Sequence, residues 1–178
     1  MIDIKLMTGI PKQDEVCRSL DNGAKKRSKM EDVKCDKYES IRLGNQICFP
    51  LYACAKEVVR QYRRPLEKLG LTYTQYVVMM ALWEFGGMTE GELGRKVYLD
   101  SGTLTPLLKR LEKQGYITRI RPETNERKLF IELTAAGDAL KDKATEVPCE
   151  MEGCLNLAQD EQLKLKELLD KAIINMEV

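Results

Sequence analysis

The side chains best suited to redox chemistry are Cys48, in the run Asn45-Gln46-Ile47-Cys48-Phe49, and the phenols of Tyr62 and Tyr73. Peroxides react with thiolate rather than thiol, and phenolic hydroxyls can donate hydrogen bonds that hold a thiolate's charge. Without such donors, a cysteine at this place is a small core residue. Further along, Ser101, Gly102, Thr103, Thr105 and Pro106 are followed by Lys109, Arg110 and Lys113, with Arg119 and Arg127 beyond. Small and hydroxyl residues at the front of a helix allow close approach to base edges, and cations behind them meet phosphates. Arg127, near a turn, suits an adjacent minor groove. The same residue types also occur on ordinary surface helices, so the order of the elements decides between the two readings.

Between Ser40 and Leu69, Ile47, Leu51, Ala55, Val58, Val59, Tyr62, Leu66 and Leu69 recur at helical spacing, and Gly70 closes the segment. Pro50 marks a helix restart or kink close to Cys48. A helix is expected over 74–85, capped by Thr72 or Thr74 and ended by Gly86-Gly87. A shorter one is expected over 89–97, where Thr89 and Glu92 form a capping box. Asp100-Ser101 caps a fourth helix that runs to Gln114 and stops at Gly115. After Gly115 the period becomes two, over 116–120 and 128–133, around the polar turn Pro122-Glu123-Thr124-Asn125. Helix returns near Thr134, breaks near Pro148 and resumes over 160–176. The expected architecture is mainly α with a small β-hairpin wing, a winged helix-turn-helix lobe at 71–134 within a domain at 38–178. Residues 1–37, polar and bearing Lys25-Lys26-Arg27-Ser28-Lys29, read as a disordered basic extension.

Charge is unevenly placed in a chain of net +1. From Ser101 to Lys128 seven Lys and Arg face three Glu, a net of +4, whereas from Ala135 to Val178 five Lys face ten Asp and Glu, a net of −5. Positive charge thus gathers where double-stranded DNA has to be met. The chain has no histidine, which removes Ser-His-Asp and Cys-His nucleophiles and histidine-ligated zinc. Cys149 and Cys154 lack two further ligands nearby, so neither metal nor cofactor is expected. The six cysteines read as free thiols of a reducing cytoplasm, since neither an apolar leader nor a membrane-length apolar run is present. Cys54, about 240° around a helix from Cys48, reads as core.

The runs Asn45-Gln46-Ile47-Cys48-Phe49, 65–76 (Pro65 to Tyr76) and 98–112 (Tyr98 to Glu112) make the chain resemble the MarR family of dimeric bacterial regulators, nearest its OhrR branch of organic hydroperoxide sensors. The resemblance implies a homodimer joined through helices of 40–70 and 135–178, a palindromic operator, and repression relieved when Cys48 is oxidised. It implies Tyr62 and Tyr73 as donors to the thiolate. Cys48 and Tyr62 lie fourteen residues apart, about 21 Å along a straight helix, so the family arrangement, with tyrosines reaching across to the other subunit, resolves the distance. Phe49, Tyr76, Met79 and Trp83 would give a peroxide pocket favouring organic peroxides. In two-cysteine members a C-terminal thiol resolves the sulfenic acid; Cys149, after Pro148, is the first candidate and Cys154 the second. Two departures stand out: Asn125-Glu126-Arg127 replaces the usual Asp-x-Arg of the wing, and Pro50 replaces a small helix former. A MarR-type repressor controlled by a small phenolic ligand is the alternative. A thiol peroxidase fits less well, because the chain lacks a βαβ alternation.

Overall fold

Caps and prolines set most boundaries in this chain. The computed structural model describes residues 38–121 and 128–176, which fall into two compact units, one ending at Glu57 and one beginning at Val58. The expected extension 1–37 and the hairpin tip with Asn125 and Arg127 lie outside the described residues.

In the first unit two short 3-10 turns, Glu39–Ile41 and Leu43–Asn45, precede helix α1 (Cys48–Gln61), whose last four residues belong to the second unit. Asn45 Nδ2 donates to the Glu39 carbonyl at 2.9 Å, and the Gln46 amide donates to that of Ser40. The helical period read from Ser40 therefore becomes α-helix only at Cys48. Pro50 sits in the first turn, where a missing N–H costs no intrahelical bond. None of the residues of α1 is buried. Cys54 is exposed, correcting its reading as core: among the described residues nothing covers that face of the helix.

The second unit carries the rest. The single helix expected to reach Leu69 is interrupted at Tyr62 and continues as α2 (Arg63–Glu67). Pro65 explains the break, because it cannot donate to the Gln61 carbonyl and its ring crowds that group. The turn after α2 ends on left-handed Gly70 (φ 66°), with Leu71 N–H bonded to the Leu66 carbonyl and Gly70 N–H to that of Glu67. Leu66 and Leu71 are both buried, which completes a Schellman closure. Helix α3 (Tyr73–Phe85) starts at Thr72, whose hydroxyl and Gln75 form a capping box. A two-residue strand β1 (Met88–Thr89) leads into α4 (Glu90–Val97), capped by the Thr89–Glu92 box. Helix α5 (Ser101–Lys113) starts at the Asp100 cap.

Strands β2 (Ile117–Ile120) and β3 (Phe130–Leu133) form the expected antiparallel hairpin, with Ile117 opposite Leu133 and Ile120 opposite Phe130. Strand β1 adds to the other side of β3, giving the order β1-β3-β2; two residues carry no periodic signal, so the sequence reading had only two strands. Inward-facing Ile117 and Ile131 join Val78, Met79, Leu82, Leu93, Leu104, Leu108 and Leu111 in one core. Helix α6 (Ala135–Ala144) begins at Thr134. The expected break near Pro148 is present: α6 ends at Ala144, Thr145 is a turn, and Pro148 stands in the first turn of the short helix α7 (Glu146–Glu150), after which the chain leaves helix. It resumes as α8 (Gln159–Met176), which buries no residue. No helix of the described residues is long and apolar enough to cross a membrane.

Candidate nucleic-acid interface and thiol site

Helix α5 divides cleanly by face. Leu104, Leu107, Leu108 and Leu111 are buried, while Ser101, Gly102, Thr103, Pro106, Lys109, Arg110 and Lys113 are exposed. The front of the helix is fixed by Asp100, which accepts from the Thr103 N–H and from the Thr103 hydroxyl, each at 2.9 Å. The Thr103 hydroxyl first, then its N–H, holds the Asp100 carboxyl below the ordinary carboxylate value. The turn joining α4 to α5 is tight: a Cβ on Gly94 would stand 2.8 Å from the Leu99 carbonyl. It carries Tyr98 in the left-handed region (φ 54°). Two helices joined by such a turn, followed by a hairpin, make a helix-turn-helix whose second helix presents hydroxyls first and cations behind.

Two side chains read from sequence as DNA contacts have partners inside the protein. The half-buried Thr105 hydroxyl donates to Glu90 Oε1 at 2.6 Å, a tie between α4 and α5 that has no local signal in the sequence. Arg119 Nε donates to Glu112 Oε2 at 2.9 Å. Lys109, Arg110, Lys113, Arg121 and Lys128 remain the exposed cations of this face. Arg127 falls outside the described residues.

On the other side of α3 the structure gathers aromatic rings. Tyr62 and Tyr73 lie 4.9 Å apart by centroid, Tyr62 and Tyr76 6.2 Å, and Tyr76 and Trp83 6.3 Å. Burial, followed by the neighbouring Tyr73 hydroxyl, pushes the phenols of Tyr62 and Tyr76 above their ordinary value, so both are protonated hydrogen-bond donors at neutral pH. The Trp83 indole N–H is already used, donating to the Gly137 carbonyl at 2.9 Å. Met79 is fully buried in the core, whereas Phe49 lies on α1 in the other unit and is exposed. Cys48, Cys54, Cys149 and Cys154 are all free thiols. Cys48 is the first residue of α1 and exposed. Cys149 is exposed on α7; Cys154, in the loop that follows, is half-buried against the core and near enough to Tyr62 to raise its phenol. Among the described residues no cluster of His, Cys, Asp or Glu could hold a metal ion.

The sequence reading passed over Gln75 and Gln114. Gln75 is the buried polar side chain of the described core, at 5% exposure, and its Nε2 donates to Gln114 Oε1 at 3.1 Å. The Thr72-x-x-Gln75 spacing is the signal that could have found half of this pair.

Comparison with known proteins places these features. The MarR family pattern matches residues 71–129. The organic hydroperoxide resistance transcriptional regulator of Bacillus subtilis is 44% identical over 134 residues, 75% of this chain and 91% of that protein. The regulator SarZ of Staphylococcus haemolyticus is 43% identical over 133 residues, covering 75% and 90%. Among solved structures, AbfR of Staphylococcus epidermidis in its reduced state bound to DNA superimposes with a TM-score of 0.65 at 35% identity, over 80% of this chain and 99% of that one. Its disulfide-formed state gives 0.53 at 34%, over 79% and 94%. A relative this similar over three quarters of the sequence, and a fold whose recognition helix and wing follow in the same order, leave one assignment: the chain belongs to the MarR family of DNA-binding transcriptional regulators.

Proposed function

We propose that this regulator is a repressor switched by its own thiol. The reduced homodimer holds a palindromic operator in the cytoplasm, and an organic hydroperoxide releases it by oxidising Cys48. The observation that carries the reading is a free, exposed cysteine at the first residue of α1 in a chain that also clusters Tyr62, Tyr73 and Tyr76. A helix N-terminus favours negative charge, and the protonated phenols supply donors to it. The thiolate sulfur attacks the distal peroxide oxygen, the O–O bond breaks, and the alcohol leaves with a proton; sulfur loses two electrons to the peroxide. Phe49, the residue after Cys48, gives the approach an apolar character that suits organic peroxides.

Dimerisation through α1 and α8 is supported by their uncovered apolar side chains. Phe49, Leu51, Tyr52 and Val59 on the first, and Leu163, Leu168, Ile174 and Met176 on the second, are exposed, and neither helix buries a residue. Cys48 opens α1 and Tyr62 follows its last residue, so the donors to each thiolate are Tyr62 and Tyr73 of the partner subunit. Loss of thiolate charge on oxidation ends those bonds, and the reading lobes rotate out of step with half-sites about 34 Å apart. Cys154 is the better resolving thiol, because it packs against the same core as Tyr62 and its carbonyl accepts from Gln61, next to Tyr62, whereas Cys149 is exposed on α7. Its sulfur attacks the Cys48 sulfenic acid, the disulfide forms and water leaves.

The test is fluorescence anisotropy on an operator palindrome from the gene's own upstream region, before and after one equivalent of cumene hydroperoxide, with dithiothreitol added last. Release by wild type, reversed by dithiothreitol and absent in Cys48→Ser, is expected. Equal release from both proteins, or from neither, overturns the reading; the second outcome leaves a small phenolic ligand as the effector. Cys154→Ser is expected to abolish the peroxide-induced dimer band on a non-reducing gel, and Cys149→Ser to keep it.

A further inference from the structure

The rings that serve the thiol and the helix that reads DNA are joined by a pair of glutamines, and the geometry points to this pair as the link between oxidation and release. The inference rests on the thiol-switch reading above and adds the route inside each subunit. Gln75 lies in the first turn of α3, two residues after Tyr73. Its Oε1 accepts from the Thr72 N–H at 2.8 Å, and its own N–H bonds to the Thr72 hydroxyl at 3.4 Å. The direction of its side chain is therefore fixed by the very turn that holds Tyr73. Its remaining end, Nε2, reaches Gln114 Oε1 at 3.1 Å.

Gln114 is the residue that closes α5, its backbone N–H bonded back to the Arg110 and Glu112 carbonyls. Its Nε2 donates to the Gly70 carbonyl at 2.8 Å. Gly70 ends the short segment that begins at Tyr62, and its left-handed turn (φ 66°) aims that carbonyl at α5. One side chain at the C-terminus of the recognition helix thus holds both tyrosine-bearing segments, the Tyr62 segment through Gly70 and the Tyr73 segment through Gln75.

Burial makes this join discrete rather than elastic. Gln75 is 5% exposed while Gln114 lies at the surface, so the Gln75 amide depends on this one side chain to close it off, and an orphaned buried amide is costly. The pair is then either made or broken together with the packing around it, as a two-position element requires. When Tyr62 and Tyr73 shift after the thiolate is lost, Gly70 and the first turn of α3 shift with them, and the end of α5 follows. Gln75 and Gln114 are positioning residues, acting through the segments that carry Tyr73 and Tyr62.

The experiment measures operator affinity by anisotropy for the full chain, reduced and peroxide-treated, with sulfenic acid trapping to report the extent of Cys48 oxidation. The variants are Gln114→Ala, which frees both segments, and Gln114→Glu, which keeps an acceptor for Gln75 but sets a carboxylate against the Gly70 carbonyl. Expected for Gln114→Ala is reduced-state binding within about threefold of wild type, unchanged trapping, and a ratio of oxidised to reduced Kd smaller than that of wild type by about 3- to 30-fold. Gln114→Glu is expected to fall between the two. A wild-type ratio kept in Gln114→Ala overturns the inference, as does equal loss of binding in both redox states, which would make the pair a support for the fold alone. A wild type that ignores peroxide is a separate outcome: it overturns the thiol switch itself, and the inference with it.

Discussion

Thr105→Val tests how the recognition helix is held. Valine keeps the branched shape, so the change removes one hydroxyl that donates to Glu90 at 2.6 Å. A hydrogen bond to an ionised acceptor contributes roughly 1.5–3 kcal/mol when shielded from water. Thr105 and Glu90 are both half-exposed, and solvent can rehydrate the released carboxylate, so about 1–2 kcal/mol is the loss to expect. For a chain of 178 residues each kcal/mol moves the melting temperature by about 2–4 °C, which places the drop at about 2–8 °C. Calorimetry at fixed protomer concentration measures it, since the melting of an oligomer depends on concentration.

Glu90→Gln and the double variant close a thermodynamic cycle, and a coupling of at least about 0.5 kcal/mol is required if the two groups interact as the geometry states. The same proteins separate a clasp from a base contact. With its hydroxyl turned to Glu90, Thr105 has no donor left for DNA, so the loss of affinity in Thr105→Val should be uniform across operator variants. A hydroxyl that reads a base would lose about 1–3 kcal/mol at one base pair only. An unchanged melting temperature together with a loss confined to one base pair would refute the argument.

Three other outcomes follow from the geometry. Gly137→Ala should lower the urea midpoint by the equivalent of about 3 kcal/mol, because the new Cβ would stand 1.9 Å from the Tyr116 carbonyl, backbone that cannot yield cheaply. Asp100→Asn should flatten the acid limb of the stability curve. The folded carboxyl titrates below its ordinary value of 3.8, so its contribution is full above that value and is lost as pH falls through the lower folded one; an acid limb identical to wild type would sink the cap. Tyr62→Phe should leave neutral-pH stability close to wild type, slow Cys48 oxidation in stopped-flow measurements, and ease the alkaline fall in stability. That fall arises because the folded phenol titrates above its ordinary value of 10.0, so stability is lost as pH rises through the folded value. An oxidation rate equal to wild type would remove Tyr62 from the sensor.

What the sequence made legible was local. Thr72, Thr89, Asp100, Gly70 and Gly115 announce helix ends by chemistry that needs no tertiary partner, and each cap or stop stands where it was expected. The order of helices and hairpin followed from them, and with it the lobe that meets DNA. The errors came where a residue's effect depends on position within a turn. Pro65 and Pro148 act alike, each with a helix break three residues upstream, at Tyr62 and Thr145, and each in the first turn of the short helix that follows; the sequence reading placed the second break and missed the first. Cys54 misled because the reading assumed a cover for α1 that the described residues do not provide. Thr105 and Arg119 are donors by type, and only tertiary structure shows that Glu90 and Glu112 have already engaged them.

Those engagements bear on how such a regulator lets go of DNA. Helix α5 is held at its front by Asp100, in its first half by Glu90, along its length by four buried leucines, and at its end by Gln114. Each anchor belongs to the same unit, so none depends on Cys48 for its partner. A helix tied at both ends and along one face resists melting on its own, because every local opening would expose core leucines as well as break a cap. Under the thiol-switch proposal, a signal arriving at the tyrosines has one inexpensive outlet: to carry α5 as a rigid piece to a new angle. Two such pieces facing half-sites of fixed spacing lose their match after a small rotation, so a switch of this kind needs displacement of the recognition helix and not its disorder.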